Sequence, residues 1–294
     1  MKQIIKAKQE DSYANYLNEI GNGKPNLVID SVITLITKKY FNNKHRTSVA
    51  DFGCFDGTML NAIYKSLPRE VQRRVLLTGF DNNRSVLDIG ADKFPHIKFS
   101  YIDFLSPGIT SEKFDIVILS NVLHEIYSQR LPDENQAKDD VVKAFDHIER
   151  AVREEGFIVF MDGLLPDKSE IEVELEFYNR EVNRNFHTMA DKADYFLPIH
   201  YSNISSNKII TSLKDLSLFL TKYRYLNRPF WNIESQQVYP YFTQDELDQL
   251  FRNVGLRLCQ FLPQPVPGVK KIVSIIKPSG ISIPYKNVLI VAQK

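Results

Sequence analysis

Val49-Ala50-Asp51-Phe52-Gly53-Cys54-Phe55-Asp56-Gly57 is the stretch whose reading decides the fold. Its apolar start reads as a short strand, Ser48–Phe52, in which Asp51 comes near the end. Gly53 and Gly57 then turn the chain into a helix beginning near Thr58. In open α/β sheets, ligands bind just outside the carboxyl ends of strands, at turns of this kind. Glycine lets the backbone approach a ligand closely and adopt angles that other residues avoid. Taken alone, a strand-to-helix turn with two glycines is read equally well as a plain connection.

Working outward, the same alternation repeats. Arg74–Phe80, Ile97–Ile102, Asp115–Ser120 and Phe157–Met161 read as strands. Thr58–Ser66, Val86–Lys93 and Val141–Glu154 read as helices between them. Short β-branched apolar runs separated by amphipathic helices predict a mostly parallel sheet covered on both faces. Upstream, Leu27, Val28, Val32, Leu35 and Ile36 recur at helical spacing after Pro25, so residues 1–48 read as a helical lead-in. The rhythm is lost at residues 163–242. It returns at Thr243, placed to cap a helix that Gly255 ends, and at two strands, Leu256–Leu262 and Val288–Ala292. Pro263–Tyr285 reads as surface loop, with Lys271–Ile276 a candidate short strand. The domain reading is a lead-in at 1–48, a core at 49–162 and 243–294, and an insertion at 163–242.

The strand ends carry the chemistry. Leu77-Thr78-Gly79-Phe80-Asp81 and Ile102-Asp103-Phe104 each finish on or beside a carboxylate. Phe114-Asp115-Ile116-Val117-Ile118-Leu119-Ser120-Asn121-Val122-Leu123-His124-Glu125 carries the fourth strand into its helix, and Val288–Lys294 closes the chain. With these segments the sequence resembles the class I S-adenosylmethionine-dependent methyltransferases, over about residues 45–162 and 243–294. The resemblance implies a Rossmann-like, doubly wound, seven-stranded, mostly parallel α/β sheet whose last strand runs antiparallel, with the insertion expected to be helical. It also implies S-adenosylmethionine as cofactor. Gly53 and Cys54 would meet the amino and carboxylate groups of the methionine moiety with their backbone, in a loop running from Asp51 to Gly57. Asp81, with Asn82 beside it, would take the ribose hydroxyls, and charged acceptors bind hydroxyls strongly. Asp103 and Phe104 would contact adenine, while Ser120 and Asn121 flank the methionine end. The family's loop usually has a further glycine where this chain has Phe55. That residue also weighs against a dinucleotide site, which needs its second glycine for a pyrophosphate.

His124 follows the fourth strand, where the reacting methyl group is expected, and is the candidate general base. It is equally readable as a packing residue. Glu125 is its neighbour in sequence, so on a helix the two diverge; with no third ligand evident, no metal site is expected. Asp162 ends the fifth strand at the same rim, placed to orient substrate or to begin the turn with Gly163, and the turn is the favoured reading. The insertion has helical spacing at Ile171, Leu175, Tyr178 and Val182 and a second helix near Leu213–Tyr223. Its aromatic stretch, with Tyr225, Phe230 and Trp231, is the candidate substrate-binding lid. The insertion holds 9 basic and 10 acidic residues, and nucleic-acid surfaces usually carry a positive excess. A small-molecule acceptor methylated on O or N is therefore favoured over RNA or protein, with a catalytically inactive binding subunit the reading from another class.

The net charge of +1 gives no global pull toward nucleic acid or anionic membrane. Two cysteines exclude a disulfide framework, and a reducing, cytoplasmic setting is expected. No apolar run is long enough to span a bilayer, and Met1–Ala14 lacks the apolar region of a signal peptide.

Overall fold

The computed structural model describes residues 24–42, 46–106, 108–191, 198–229, 231–266 and 268–294. Met1–Ala14 therefore lies outside the described residues. The chain enters through helix α1 (Lys24–Asn42), with proline in its first turn as the sequence suggested. It then runs through β1 (Thr47–Phe52), α2 (Thr58–Ser66), α3 (Arg69–Gln72), β2 (Val75–Asp81), α4 (Arg84–Lys93), β3 (Ile97–Tyr101) and β4 (Phe114–Ser120). Helices α5 (Leu123–Ser128) and α6 (Glu134–Glu149) precede β5 (Val152–Gly163). These five strands run parallel in the order β3-β2-β1-β4-β5. The order reverses between β1 and β4, which opens a crevice at their carboxyl ends.

Alternating side chains build a core on each face of this sheet. Ile116 and Ile118 of β4, Val49 of β1 and Val159 of β5 pack with Val28, Val32 and Ile36 of α1 and Leu60 and Ile63 of α2. Val117, Leu119, Ala50 and Phe160 face the other way, against Val141, Ala144, Phe145 and Ile148 of α6. Each such valine, leucine, isoleucine or phenylalanine, taken fully from water, contributes about 1.5–3 kcal/mol. The continuous apolar strands are thus explained by burial on both sides.

The rest of the chain is β6 (Glu172–Phe177), α7 (Arg180–Ala190), β7 (Tyr201–Ser205), β8 (Lys208–Ser212), α8 (Leu213–Lys222) and α9 (Trp231–Glu234). Then come α10 (Gln244–Asn253), β9 (Arg257–Pro265), β10 (Val273–Lys277) and β11 (Tyr285–Gln293). Strand β11 lies antiparallel to both β5 and β9, completing seven strands. Thr243 caps α10 in a reciprocal box with Glu246, as its position suggested.

Two expectations need correction. The insertion is not wholly helical: its β6, β8 and β7 form a second, antiparallel sheet together with β10 from farther along the chain. Within Glu172–Phe177, Val173, Leu175 and Phe177 are buried while glutamates alternate with them. This period of two overrides the helical spacing of Ile171, Leu175, Tyr178 and Val182. The helix expected at Val141–Glu154 spans Glu134–Glu149, starting where Asp133 accepts from the Gln136 amide. The charged run Arg153-Glu154-Glu155 belongs instead to the start of β5, at a register shift opposite Phe114 and Ile116 where Glu155 has φ 61°.

Candidate active site

The turn after β1 is built on positive φ angles: Gly53 at 87°, Phe55 at 51° and Gly57 at 77°. Phe55 therefore holds the left-handed conformation usually left to glycine. What holds it there is a hydrogen bond: its amide donates to Asp81 Oδ2 at 2.9 Å. Asp81 Oδ1 takes the Asn83 amide at 2.9 Å. Burial pushes the Asp81 carboxyl up, against the pull of these amides. Each carboxylate oxygen has two acceptor sites, so Asp81 retains capacity for hydroxyl donors. Asn82, next to it, is exposed.

Gly53 and Cys54 are placed differently from what the resemblance implied. Both amides donate to the Phe80 carbonyl, at 2.7 and 2.9 Å. Their N–H groups are therefore engaged within the sheet end and unsuited to hold a carboxylate. The Cys54 thiol is buried, and burial raises its pKa with Asp51 adding to the shift.

Asp51 is the site's unusual group. It is 1% exposed, and neither carboxylate oxygen has a hydrogen-bond partner. Burial, with Asp81 adding repulsion, pushes its pKa up to about 8. A buried carboxylate without donors is costly, and a bound cation would compensate it. Asn121, after β4, has φ 58° and a buried Oδ1 that also lacks a partner. Its Nδ2 donates to Ser120 Oγ at 3.3 Å.

Asp103 is exposed, and its carboxylate accepts from Leu105 N and Ser106 Oγ in a local turn. Phe104 is 6% exposed and packs into the core. Its side chain is a core element, with little surface to offer a ligand.

Across the crevice, His124 is buried at the start of α5. Its Nδ1 lies 2.7 Å from Asp162 Oδ1, and its amide donates to Oδ2 at 3.1 Å. An ionised carboxylate only accepts, so the neutral imidazole carries its proton on Nδ1 and leaves Nε2 bare. Asp162 is fully buried and does more than begin a turn. It also receives Gly163 N at 2.8 Å and Tyr241 OH at 3.2 Å. Burial would raise its pKa, but the His124 ring and the Gly163 and His124 amides bring it below the usual carboxylate value. Next in the chain, burial pushes the Glu125 carboxyl up, against the pull of His124 and Lys222. Gln237 donates to it at a long 3.4 Å.

Three groups contributed by the chain beyond 163 close on this pair, and sequence reading missed them. Tyr239 stacks on the His124 ring at 4.2 Å, Tyr241 binds Asp162, and Lys222 lies 3.9 Å from the Tyr239 centroid. Nothing in Gln237-Val238-Tyr239-Pro240-Tyr241 announces this. Of the aromatics singled out beforehand, Trp231 is 5% exposed and built into the core, and Tyr225 packs partly buried against it under Lys286. Phe230 lies outside the described residues.

This geometry is a glycine turn with an uncompensated buried acid, facing a buried histidine–aspartate pair across a parallel-sheet crevice. A family model described as a methyltransferase domain matches residues 27–260, most of the chain. The chain belongs to the methyltransferase family. Its methyl donor is accordingly S-adenosylmethionine. Several solved structures are similar to this methyltransferase. One is a TehB-like S-adenosylmethionine-dependent methyltransferase from Corynebacterium glutamicum: 13% identical, covering 98% of this chain and 99% of that one, TM-score 0.48. A second is an S-adenosylmethionine-dependent methyltransferase from Mesorhizobium loti: 13% identical, 85% and 92% covered, TM-score 0.47. A third is an O-methyltransferase family 2 protein from Planctomyces limnophilus, in complex with apigenin: 14% identical, 86% and 52% covered, TM-score 0.45. The chain spans about half the length of that last protein. A search of curated proteins returns no match. No described helix of the methyltransferase is long and apolar enough to cross a membrane.

Proposed function

We propose that this methyltransferase transfers a methyl group to an oxygen or nitrogen of a small-molecule acceptor, with His124 as general base. The observation that carries the reading is the buried His124–Asp162 pair with its bare Nε2 at the carboxyl end of β4. The cofactor supplies a methyl group already activated on a sulfonium, open to in-line displacement. Asp51 would hold its ammonium, Asp81 the ribose hydroxyls, and Ser120 and Asn121 the methionine end. The turn from Asp51 to Gly57 would wrap it, and Asp103 would stand at the adenine side. His124 Nε2 would take the proton of the attacking hydroxyl or amine. Asp162 holds the imidazole in the productive tautomer and stabilises it once protonated. Residues 163–242, with 49–162 and 243–294 as the donor-binding core, would enclose the acceptor. The insertion carries 9 basic and 10 acidic residues, a balance that suits a small acceptor better than nucleic acid.

His124→Ala should lower transfer by about 10²–10⁴-fold, the usual worth of a positioned base, and leave donor affinity unchanged. The assay follows labelled methyl from S-adenosylmethionine into a panel of small phenols, alcohols and amines, with total RNA and protein in parallel. Transfer by His124→Ala at the wild-type rate would refute the base, and label confined to RNA or protein would refute the small acceptor.

Asp81→Ala should weaken donor binding by roughly 1.5–3 kcal/mol, the range for hydrogen bonds to a charged group. Calorimetric titration of the folded variant checks this, and unchanged affinity would remove the ribose assignment.

A further inference from the structure

The hydrogen bond from Nδ1 to Asp162 holds one edge of the His124 ring, and the packing on its faces sets how firmly the ring plane is held. Tyr239 covers one face, stacked at 4.2 Å with 24° between the rings. Lys222 Nζ lies 3.9 Å from the same tyrosine centroid. Two groups this close to one ring cannot share a face, so Tyr239 is sandwiched between the ammonium and the imidazole.

Lys222 is 0% exposed and ion-paired to Glu234 Oε2 at 2.6 Å, with Glu234 itself 2% exposed. The Tyr239 hydroxyl also hydrogen-bonds Glu234. A fully buried ion pair of this kind is seldom needed for stability, since apolar residues of similar volume often serve as well. The backbone is fitted to the same sandwich. A Cβ at Gly163 would come within 1.8 Å of the Tyr239 carbonyl oxygen, so only glycine lets the tyrosine sit there. The Val238 amide donates to Ser128 Oγ at 2.8 Å, and that hydroxyl donates to the His124 carbonyl at 2.6 Å.

We infer that Tyr239 is a positioning residue: the buried Lys222–Glu234 pair clamps it from behind, and its front face fixes the plane of the His124 ring and so the aim of Nε2. The inference rests on His124 being the base. It assigns the pair a task in the reaction, since a base must be held within a narrow angle of the proton it takes. The cation beneath the ring strengthens the clamp, because such contacts are strongest where water is excluded.

The test is solvent exchange of the His124 Nδ1–H, followed by nuclear magnetic resonance of full-length protein with ¹⁵N-labelled histidine and bound S-adenosylhomocysteine. His124→Gln identifies the signal. Tyr239→Leu and Lys222→Met should each exchange about tenfold faster than wild type, the size expected for a lost stacking or cation–ring contact. Tyr239→Phe keeps the ring and should stay close to wild type. Should Tyr239→Leu fail to fold, Gly163→Ala tests the same contact by displacing the tyrosine backbone, and faster exchange is again expected. Wild-type exchange in the leucine, methionine and alanine variants, or equally fast exchange in Tyr239→Phe and Tyr239→Leu, would overturn the clamp. The two ideas fail separately. Unimpaired transfer by His124→Ala removes the base, whereas unaltered exchange removes only the clamp.

Discussion

Without cofactor at pH 8, Asp51→Asn should unfold at a higher temperature than the wild type, while binding S-adenosylmethionine much more weakly. Burial, with Asp81 adding to it, raises the Asp51 pKa from 3.8 to about 8. The folded protein therefore holds this proton more tightly than the unfolded chain does. The stability that comes with it is fully present below pH ~4 and is lost as pH rises through about 8. At pH 8 the wild type pays a penalty on the order of a few kcal/mol that asparagine does not incur. Thermal melts at pH 5 and pH 8 check the sign: the variant's advantage should grow with pH. Parallel pH dependence of the two proteins would show that Asp51 is compensated in some other way. Donor affinity should meanwhile fall by about 10- to 150-fold, from the loss of ~1.5–3 kcal/mol of charged hydrogen bonding. In the wild type, donor binding near pH 7 should release a proton, because the ammonium favours the ionised acid. Titrations in buffers of different ionisation enthalpy read that release, and Asp51→Asn should abolish it.

Gly57→Val is the other large effect expected, and its cause lies inside the protein rather than at the ligand. Gly57 has φ 77°, and a Cβ there would come within 2.6 Å of Phe99 Cζ. Left-handed backbone costs roughly 1–2 kcal/mol for a residue with a side chain, and overpacking a filled site adds about 1–3 kcal/mol. A loss of around 2–5 kcal/mol of stability should follow, with donor binding lost as the turn from Asp51 to Gly57 is displaced. Chemical denaturation and calorimetric titration measure the two effects. A variant that melts and binds as wild type would mean the turn tolerates any backbone at residue 57.

The core sheet was legible because burial on both faces writes itself into sequence as short apolar runs, as in Ile116-Val117-Ile118-Leu119. The strand-end acids Asp51 and Asp81 were legible for the same reason, being the first polar residues after such runs. The strand at Glu172–Phe177 was missed because four apolar residues nearby also fit a helical spacing, and tertiary pairing with β8 and β10 decided between the two periods. The role of Asp162 could not be read, since its partners His124 and Tyr241 stand 38 and 79 residues away. Lys222, Glu234 and Tyr239 carry no local signal, because what makes them notable is burial beside one another.

A crystal structure with S-adenosylhomocysteine tests the account at its centre. It should show the ammonium within hydrogen-bond distance of Asp51, the ribose hydroxyls on Asp81, and the sulfur turned toward the space in front of His124 Nε2. A ribose away from Asp81, or a sulfur facing away from His124, would contradict it.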